Sequence, residues 1–440
     1  MSTQTNLETA KQNVEPLLEE EVVLKLPTWK IWYVMFVLYF LYLFDYAARL
    51  VISPLFPFLK ADLGLTDPQL GMLSSVVLAG ICIFSLPLAV VIDRWRRSKA
   101  VSVVAVAWSV ATLCTGISTT FSQIFVSRAA VGIGEASFSS GGAALISAMF
   151  TRTKRATMIG IWNTSMPIGM ALGLMAGGTV ASKYGWRTAF YAVAIPGIIL
   201  GIMAWFMPDY ENIPRENANN AKNKAALSFM GVLKSVLSNK TLICLYLASG
   251  LGGVLLQTQI YWTSSLFVRF MGMTPAQAGT INGYMMITGL VAFPLGGWLS
   301  DRWAKKDMRG RMYFCAISML LYCITCTVGV MTLSIPILGL AMFFTFLIPS
   351  AQVAITQEVV PLFNRATAYG GYVLALYIFG GLWGPLLTGY VSAAYNLQIG
   401  FVVAGVISLS AVVFYLLGSK YCVDDFNSAR EKEKEMGLQG

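Results

Sequence analysis

Residues 93–99 read DRWRRSK, and residues 301–306 read DRWAKK. The two phrases start 208 residues apart, and the same shift superimposes GLTDPQLG (64–71) on GMTPAQAG (272–279). Each glycine-bounded phrase precedes its Asp-Arg-Trp by the same distance. Matched landmarks in one register indicate that one half of the chain duplicates the other.

The composition indicates what kind of half is duplicated. Hydrophobic residues make up 56% of the chain and charged residues 12%, against roughly 25% charged in an ordinary soluble domain. Apolar stretches of about 20 residues recur, each long enough to cross a hydrocarbon core of about 30 Å. Backbone groups in lipid must be hydrogen-bonded internally, and the apolar runs lack the alternation of a β-barrel, so we expect helices. We number the predicted spans 1 to 12, at 31–58, 69–92, 99–119, 123–149, 156–181, 187–207, 238–268, 276–299, 312–332, 335–358, 366–393 and 398–418.

The predicted fold class is therefore an all-α membrane protein whose twelve transmembrane helices form two parallel six-helix repeats. A polar stretch separates the sixth span from the seventh. The predicted organisation is an N-terminal extension (1–29), a first six-helix bundle (30–207), a linker (208–236), a second six-helix bundle (237–419) and a C-terminal tail (420–440).

Lysine and arginine predict the orientation. They concentrate in the loops after spans 2, 4 and 8, whereas the loops at the other side are short and nearly uncharged. The positive-inside rule then predicts that both termini and the linker are cytoplasmic, in a multi-pass protein of the plasma membrane, here a bacterial inner membrane. The net charge of +10 is accounted for by contact with anionic membrane lipids, so we predict no binding to nucleic acid.

The repeated phrase resembles a known signature. LPLAVVIDRWRRSKA (86–100) and PLGGWLSDRWAKKDMRGR (294–311) are similar to the loop motif of the major facilitator superfamily, whose members have twelve helices in two repeats. The first copy departs from the motif in having Ala89 where glycine is common. The resemblance implies that the aspartate and arginine of each copy gate the conformational change by bracing the two halves. These residues are Asp93, Arg94, Asp301 and Arg302.

The first half is most similar to the spinster-type branch of that family. The similar segments are KADLGLTDPQLG (60–71), RAAVGIGEASFSSGGAALISAMF (128–150) and MPIGMALGLMAGG (166–178). Organic-anion symporters also carry an arginine and a glutamate in span 4. Spinster-type proteins usually have adjacent Asp-Arg in span 1, whereas here Ala48 precedes the arginine. The resemblance implies a transporter, and the spinster branch implies an amphipathic lipid such as a lysophospholipid as substrate.

Four charged residues lie well inside the predicted spans, away from the span ends. Asp45 and Arg49 are four residues apart on one face of span 1, and Arg128 and Glu135 are seven apart on one face of span 4. At about 1.5 Å per residue, the two carboxylates share one depth near the membrane midplane. Charges inside a membrane are costly and therefore point to function, although two neutral pairs that only brace the helices remain the alternative.

The chain contains no histidine, so proton coupling would require a carboxyl group beside a mobile cation. We predict Glu135 first, and Asp45 second, as the proton carrier. Arg49 and Arg128 are predicted to hold an anionic substrate through bidentate hydrogen bonds.

The remaining wall of the predicted site is polar and aromatic. An aromatic residue in a membrane helix more often packs than binds substrate, so packing stays the alternative for each. The charged candidates all lie in the first half, and most of the polar and aromatic candidates lie in the second. This asymmetry between the halves suggests a substrate with one charged end and a larger neutral or aromatic body. The further predicted substrate-binding residues are Tyr46, Trp162, Asn163, Gln257, Tyr261, Trp262, Tyr284, Gln352 and Tyr372.

Spans 5 and 11 carry prolines that we predict as pivots of the conformational change, Pro167 and Pro385. No P-loop, metal-ligand cluster or nucleophile–base set is visible in the sequence, which disfavours ATP-driven pumping and enzymatic hydrolysis. The sequence predicts a monomeric, cofactor-free secondary transporter that moves a small organic anion with protons. A lipid transporter is the alternative.

Overall fold

The structure is a computed structural model that describes residues 26–94, 96–136, 138–208, 239–361 and 364–435. Within these residues every regular element is a helix, which confirms the predicted all-α class. A 3₁₀ turn (Ser53–Leu55) follows α1, and a π-helical segment (Leu376–Gly381) separates α15 from α16. The α-helices of the described residues are α1 (Thr28–Leu50), α2 (Phe56–Leu63), α3 (Asp67–Arg94), α4 (Arg97–Ile117), α5 (Phe121–Glu135), α6 (Phe138–Met149), α7 (Arg152–Asn163), α8 (Ser165–Tyr184), α9 (Trp186–Trp205), α10 (Lys240–Met271), α11 (Pro275–Ile287), α12 (Gly289–Ala304), α13 (Gly310–Thr332), α14 (Ile335–Glu358), α15 (Arg365–Ala375), α16 (Trp383–Ala394) and α17 (Leu397–Glu435).

Eleven helical stretches of the described residues are long and apolar enough to cross a membrane. The remaining predicted span, span 4, consists of α5 and α6 on either side of residue 137. Spans 1, 5, 8 and 11 are also built from two helices in series. Helix α17 continues through most of the predicted tail, because residues 428–435 are rich in strong helix formers. The N-terminal extension and the linker lie almost entirely outside the described residues.

The duplicated phrase folds as the same turn in both halves. Gly64 and Gly272 each adopt a left-handed conformation, with φ of 64°, and end helices α2 and α10. The glutamine that follows, Gln69 or Gln277, accepts the backbone N–H of the threonine three residues earlier, at 2.9 and 3.0 Å. In the second copy Thr274 completes a capping box. The sequence repeat is therefore a repeated helix start.

The two halves meet at one end of the molecule, which we call the closed end. There α10 contacts α2 and α16, α3 packs on α16, and α8 packs on α11. Glycines make the close approach feasible: Gly71 lies against the Pro385 carbonyl, and Gly178 lies against the Pro275 carbonyl. A Cβ at either glycine would collide with backbone, so small residues determine how tightly the halves close.

Candidate functional site

The centre of the first half holds a shared ion pair. Arg49 Nε donates to Glu135 Oε2 at 3.0 Å, and Arg49 Nη2 donates to Asp45 Oδ2 at 3.3 Å. All three residues are buried. One guanidinium group therefore joins two carboxylates that come from different spans, Asp45 one turn before it on α1 and Glu135 at the end of α5.

Arg128 has a different set of partners. Its Nη1 and Nη2 donate to the backbone carbonyls of Ala48 and Arg49, each at 2.9 Å, and the residue is fully buried. These carbonyls belong to the last turn of α1, where carbonyl groups have no intrahelical donor. The Arg128–Glu135 pair considered from sequence is thus replaced by Arg49–Glu135.

Three buried oxygen atoms around the ion pair have no hydrogen-bond partner among the described residues. They are Asp45 Oδ1, Glu135 Oε1 and the hydroxyl of Tyr261. Tyr261 comes from α10 in the second half and lies within electrostatic range of Arg49, Arg128 and Glu135. The Ser53 hydroxyl holds the Tyr261 backbone carbonyl at 2.7 Å. An unpaired buried polar group is costly, so these atoms are candidates for hydrogen bonds to a polar ligand.

Aromatic rings cover one side of the ion pair. The Arg49 guanidinium lies 4.6 Å from the centre of the Tyr46 ring, a cation–π contact. Tyr42 lies edge-on to Tyr46 at 5.2 Å and stacks on Trp162 at 4.5 Å. Trp162 is fixed by its indole N–H, which donates to the Leu38 carbonyl at 2.9 Å. Tyr42 was not predicted, although its spacing from Asp45 and Tyr46 places it on the same helix face.

The predicted residues Gln257, Asn163, Tyr284 and Trp262 lie in three environments, and Tyr377, which was not predicted, lies near the first. Tyr377, from the π-helical segment, lies within electrostatic range of Arg49, and half-buried Gln257 lies beside the same segment. Asn163 is exposed, and Tyr284 is 59% exposed. Trp262 is buried, and its indole N–H donates to the Pro385 carbonyl at 3.1 Å. The structure therefore brings Gln257 towards the centre and Trp262 to the closed end.

Gln352 and Tyr372 belong to a separate polar network inside the second half. The Tyr372 hydroxyl donates to Gln352 Oε1 at 2.9 Å. The Gln352 amide lies 2.8 Å from the Ser249 hydroxyl and 2.6 Å from the Tyr415 hydroxyl. These contacts connect α10, α14, α15 and α17, and they engage both the amide nitrogen and the amide oxygen of Gln352.

The predicted gating residues of the second half pair within that half. Asp301 accepts from Arg311 Nη2 at 2.9 Å, and Arg311 Nη1 also donates to Glu358, so the cluster joins α12, α13 and α14. Arg302 lies over the Trp298 ring at 5.5 Å. The side chains of Asp93 and Arg94 lie outside the described part of the chain.

Sequence reasoning missed an ion pair that joins the two halves at the closed end. Arg269 of α10 donates to both carboxylate oxygens of Asp67 of α3, each at 2.7 Å, and Ser392 of α16 donates to the same carboxylate at 2.6 Å. The Lys60 ammonium group also lies 3.0 Å from Asp67 Oδ1. Two signals were available. Asp67 stands where the second repeat has Pro275, and Arg269 is an arginine on the side where cations are scarce.

Comparisons with known proteins agree with this architecture. The family model of the Major Facilitator Superfamily matches residues 35–377. The hexuronate transporter of Bacillus subtilis is 27% identical over 363 residues, which cover 79% of this chain and 84% of that protein. Protein spinster of Drosophila melanogaster is 24% identical and covers 82% of this chain, whereas the match spans only 62% of spinster.

A solved structure is similar in fold. It is the crystal structure of a bacterial homologue of the human lysosomal transporter spinster, in an inward-facing and unoccupied conformation. The similarity has a TM-score of 0.79 at 20% sequence identity and covers 91% of this chain and 99% of that chain. At this identity the comparison shows the shared twelve-helix fold.

Proposed function

This chain belongs to the Major Facilitator Superfamily, and from that premise we propose that it is a secondary active transporter of a small organic anion, coupled to protons. Membership makes it a multi-pass membrane transporter. The finer proposal depends chiefly on one observation, the Arg49 guanidinium held between the carboxylates of Asp45 and Glu135.

Competition for Arg49 supplies the coupling. A proton that binds Glu135 removes its negative charge and weakens its hydrogen bond to Arg49 Nε. A substrate carboxylate then takes that donor and forms a bidentate pair. One anion entering with one proton leaves the net charge of the buried cluster unchanged, which avoids the cost of adding a charge inside the membrane. When the substrate leaves, Arg49 returns to Glu135 and the proton is released.

The surrounding residues hold the body of the substrate. Tyr46 and Tyr261 flank Arg49 from the two halves, and we assign them hydrogen bonds or ring contacts to the part of the substrate next to its carboxylate. Gln257 extends this wall. Arg128 and Trp162 are proposed to act on substrate by positioning α1, because their donors bind its backbone carbonyls.

Alternating access moves the cluster between the two sides of the membrane. In the predicted orientation, with cytoplasmic termini, the closed end faces outward, and we therefore assign the structure to an inward-facing state. Opening the closed end requires the Asp67–Arg269 pair to separate and the glycine contacts to release. Asp301 and Asp93 are proposed to brace the halves in the opposite state.

The similarity to a hexuronate transporter supports an anionic substrate. A hexuronate joins one carboxylate to a neutral polyhydroxylated body, which matches a site with one available guanidinium and several hydroxyl and amide groups. Similarity to protein spinster supports the alternative, an amphipathic lipid such as a lysophospholipid. The two substrates differ in what supplies their binding free energy, the carboxylate or the acyl chain.

Substitution of Arg49 by Lys separates the two proposals. An ammonium group cannot reproduce the planar fork of arginine, and a charge-assisted hydrogen bond contributes about 1.5–3 kcal/mol. Arg49→Lys should therefore weaken carboxylate binding roughly ten- to hundred-fold and leave neutral analogues of the same body unaffected. Binding to purified protein is measured by calorimetry across hexuronates, small aliphatic carboxylates and neutral hexoses.

A matched control is Arg187→Lys, which alters an exposed arginine paired with Asp62 at the surface. A series of lysophospholipids of increasing chain length completes the test, since each buried methylene contributes about 0.8 kcal/mol. Affinity that follows chain length and ignores Arg49→Lys would reject the organic-anion proposal and favour the lipid.

A further inference from the structure

A groove of ≈ 460 Å³ lies on the surface of the second half, between α12, α13 and α14, away from the Arg49 cluster. Its inner wall is apolar and includes Phe314 and Leu347, which are buried. Ile317 and Leu321 line it with exposed fractions of 48% and 37%. These apolar side chains lie within membrane-spanning helices, so the groove opens towards lipid.

One end of the groove is cationic. Arg302 and Lys306 line it beside Trp303, and all three are exposed. Within the described part of the chain, no acidic side chain forms an ion pair with either cation. The two neighbouring carboxylates are engaged elsewhere: Asp301 accepts from Arg311, and Asp307 accepts the Arg309 backbone N–H.

The position of this end fits the membrane–water interface. Helix α12 ends at Ala304 and α13 begins at Gly310, so Arg302 and Lys306 lie where the chain leaves the membrane. Trp303 packs on Gly310 at the same level, and tryptophan is enriched at that depth. From Phe314 to Leu321 the groove extends roughly 10 Å along α13, at about 1.5 Å per residue.

We propose that this groove binds an anionic glycerophospholipid, with the phosphate at Arg302 and Lys306 and one acyl chain along Ile317 and Leu321. The combination of cations and a long apolar wall selects a lipid over a soluble anion, and the two cations select an anionic headgroup over a zwitterionic one. The site is structural or regulatory and separate from the transported substrate. It stands whether or not the proposed substrate is correct.

Native mass spectrometry of the purified full-length protein tests the site. Phosphatidylglycerol and phosphatidylcholine with identical acyl chains are titrated against the protein in detergent. We expect one phosphatidylglycerol to bind about tenfold more tightly than phosphatidylcholine, and the double variant Arg302→Gln/Lys306→Gln to lose that preference. Lys305→Gln is the matched control, because this exposed lysine lies in the same loop and does not line the groove.

Two further measurements identify the ligand. Leu321→Trp should fill the apolar wall and weaken both lipids, and inorganic phosphate at millimolar concentration should not displace phosphatidylglycerol. Equal retention of the two lipids, an equal loss in Lys305→Gln, or displacement by phosphate would each overturn the proposal. Melting temperatures of all variants are compared first, so that a folding defect is recognised before binding is interpreted.

Discussion

Arg49 and Arg128 are the same residue type at neighbouring depths, and both are buried, yet their partners differ in kind. Arg49 binds two carboxylates, each of which can change its protonation. Arg128 binds two backbone carbonyls, which cannot. An arginine that exchanges partners suits transport, whereas an arginine fixed to a helix end suits a brace.

This contrast yields a stability prediction for Arg128→Gln. The substitution leaves the carbonyls of Ala48 and Arg49 without their charged donor in a dry environment, at a cost of about 1–3 kcal/mol for each unsatisfied group. We expect a clear drop in melting temperature in detergent and lower expression. Arg49→Gln serves as the comparison, since Asp45 and Glu135 can take up protons once the guanidinium is gone. A melting temperature for Arg128→Gln equal to that of the wild type would contradict the bracing role.

Much of the cluster was predictable at the residue scale, because helix geometry fixes depth. Four-residue and seven-residue spacings placed Asp45, Arg49, Arg128 and Glu135 near one another. The pairing was not predictable. It depends on the last turn of α1, where the carbonyls of Ala48 and Arg49 accept both Nη groups of Arg128, so that Glu135 pairs with Arg49 instead.

At the scale of elements, the repeated phrase is a repeated helix start. The one charged difference between its two copies, Asp67, forms an ion pair between the halves, which we call the lock. Asp67 replaces the proline of the second copy and is held by Arg269 and Ser392 from the other half. Hydropathy and charge counts predict spans and orientation, but they do not report which loops meet across the molecule. The lock is therefore not predictable from hydropathy or charge counts, although it lies within the repeated phrase.

The lock predicts a shift in conformation for Asp67→Asn. Losing a charge-assisted bidentate pair costs the closed end about 1.5–3 kcal/mol, which raises the population of the open form roughly ten- to hundred-fold. Spin labels at Tyr184→Cys and Tyr395→Cys, both exposed near the closed end, report the distance between the halves. The native cysteines are replaced in this background. The distance distribution should gain a longer component.

The control for the lock is Asp62→Asn. Asp62 also pairs with an arginine near the closed end, Arg187, but the pair is exposed and lies within the first half. An unchanged distribution in Asp67→Asn, or the same change in Asp62→Asn, would show that the ion pair between the halves does not hold this end shut.

For the whole molecule, two similar bundles surround one asymmetric centre. The fold was predictable because duplication, span length and the repeated Asp-Arg phrase each point to it. The residues that line the site were less predictable than the fold. Gln352 and Tyr372 form a network within the second half, and Trp262 lies at the closed end. Of the second-half aromatic residues, Tyr261 lies near the charged cluster. Periodicity cannot separate a helix face turned to the centre from one turned to a neighbouring helix, because both are buried.

The coupling of protons to substrate is tested most directly by transport through Glu135→Gln in proteoliposomes. The ligand is the carboxylate that binds most tightly in the titration, and Glu431→Gln, in the exposed part of α17, is the control. Glutamine keeps the shape of a protonated glutamate but carries no transferable proton. We predict that Glu135→Gln loses accumulation driven by a pH gradient yet still exchanges pre-loaded substrate, while the control retains both. Full gradient-driven accumulation by Glu135→Gln would contradict proton coupling through this residue.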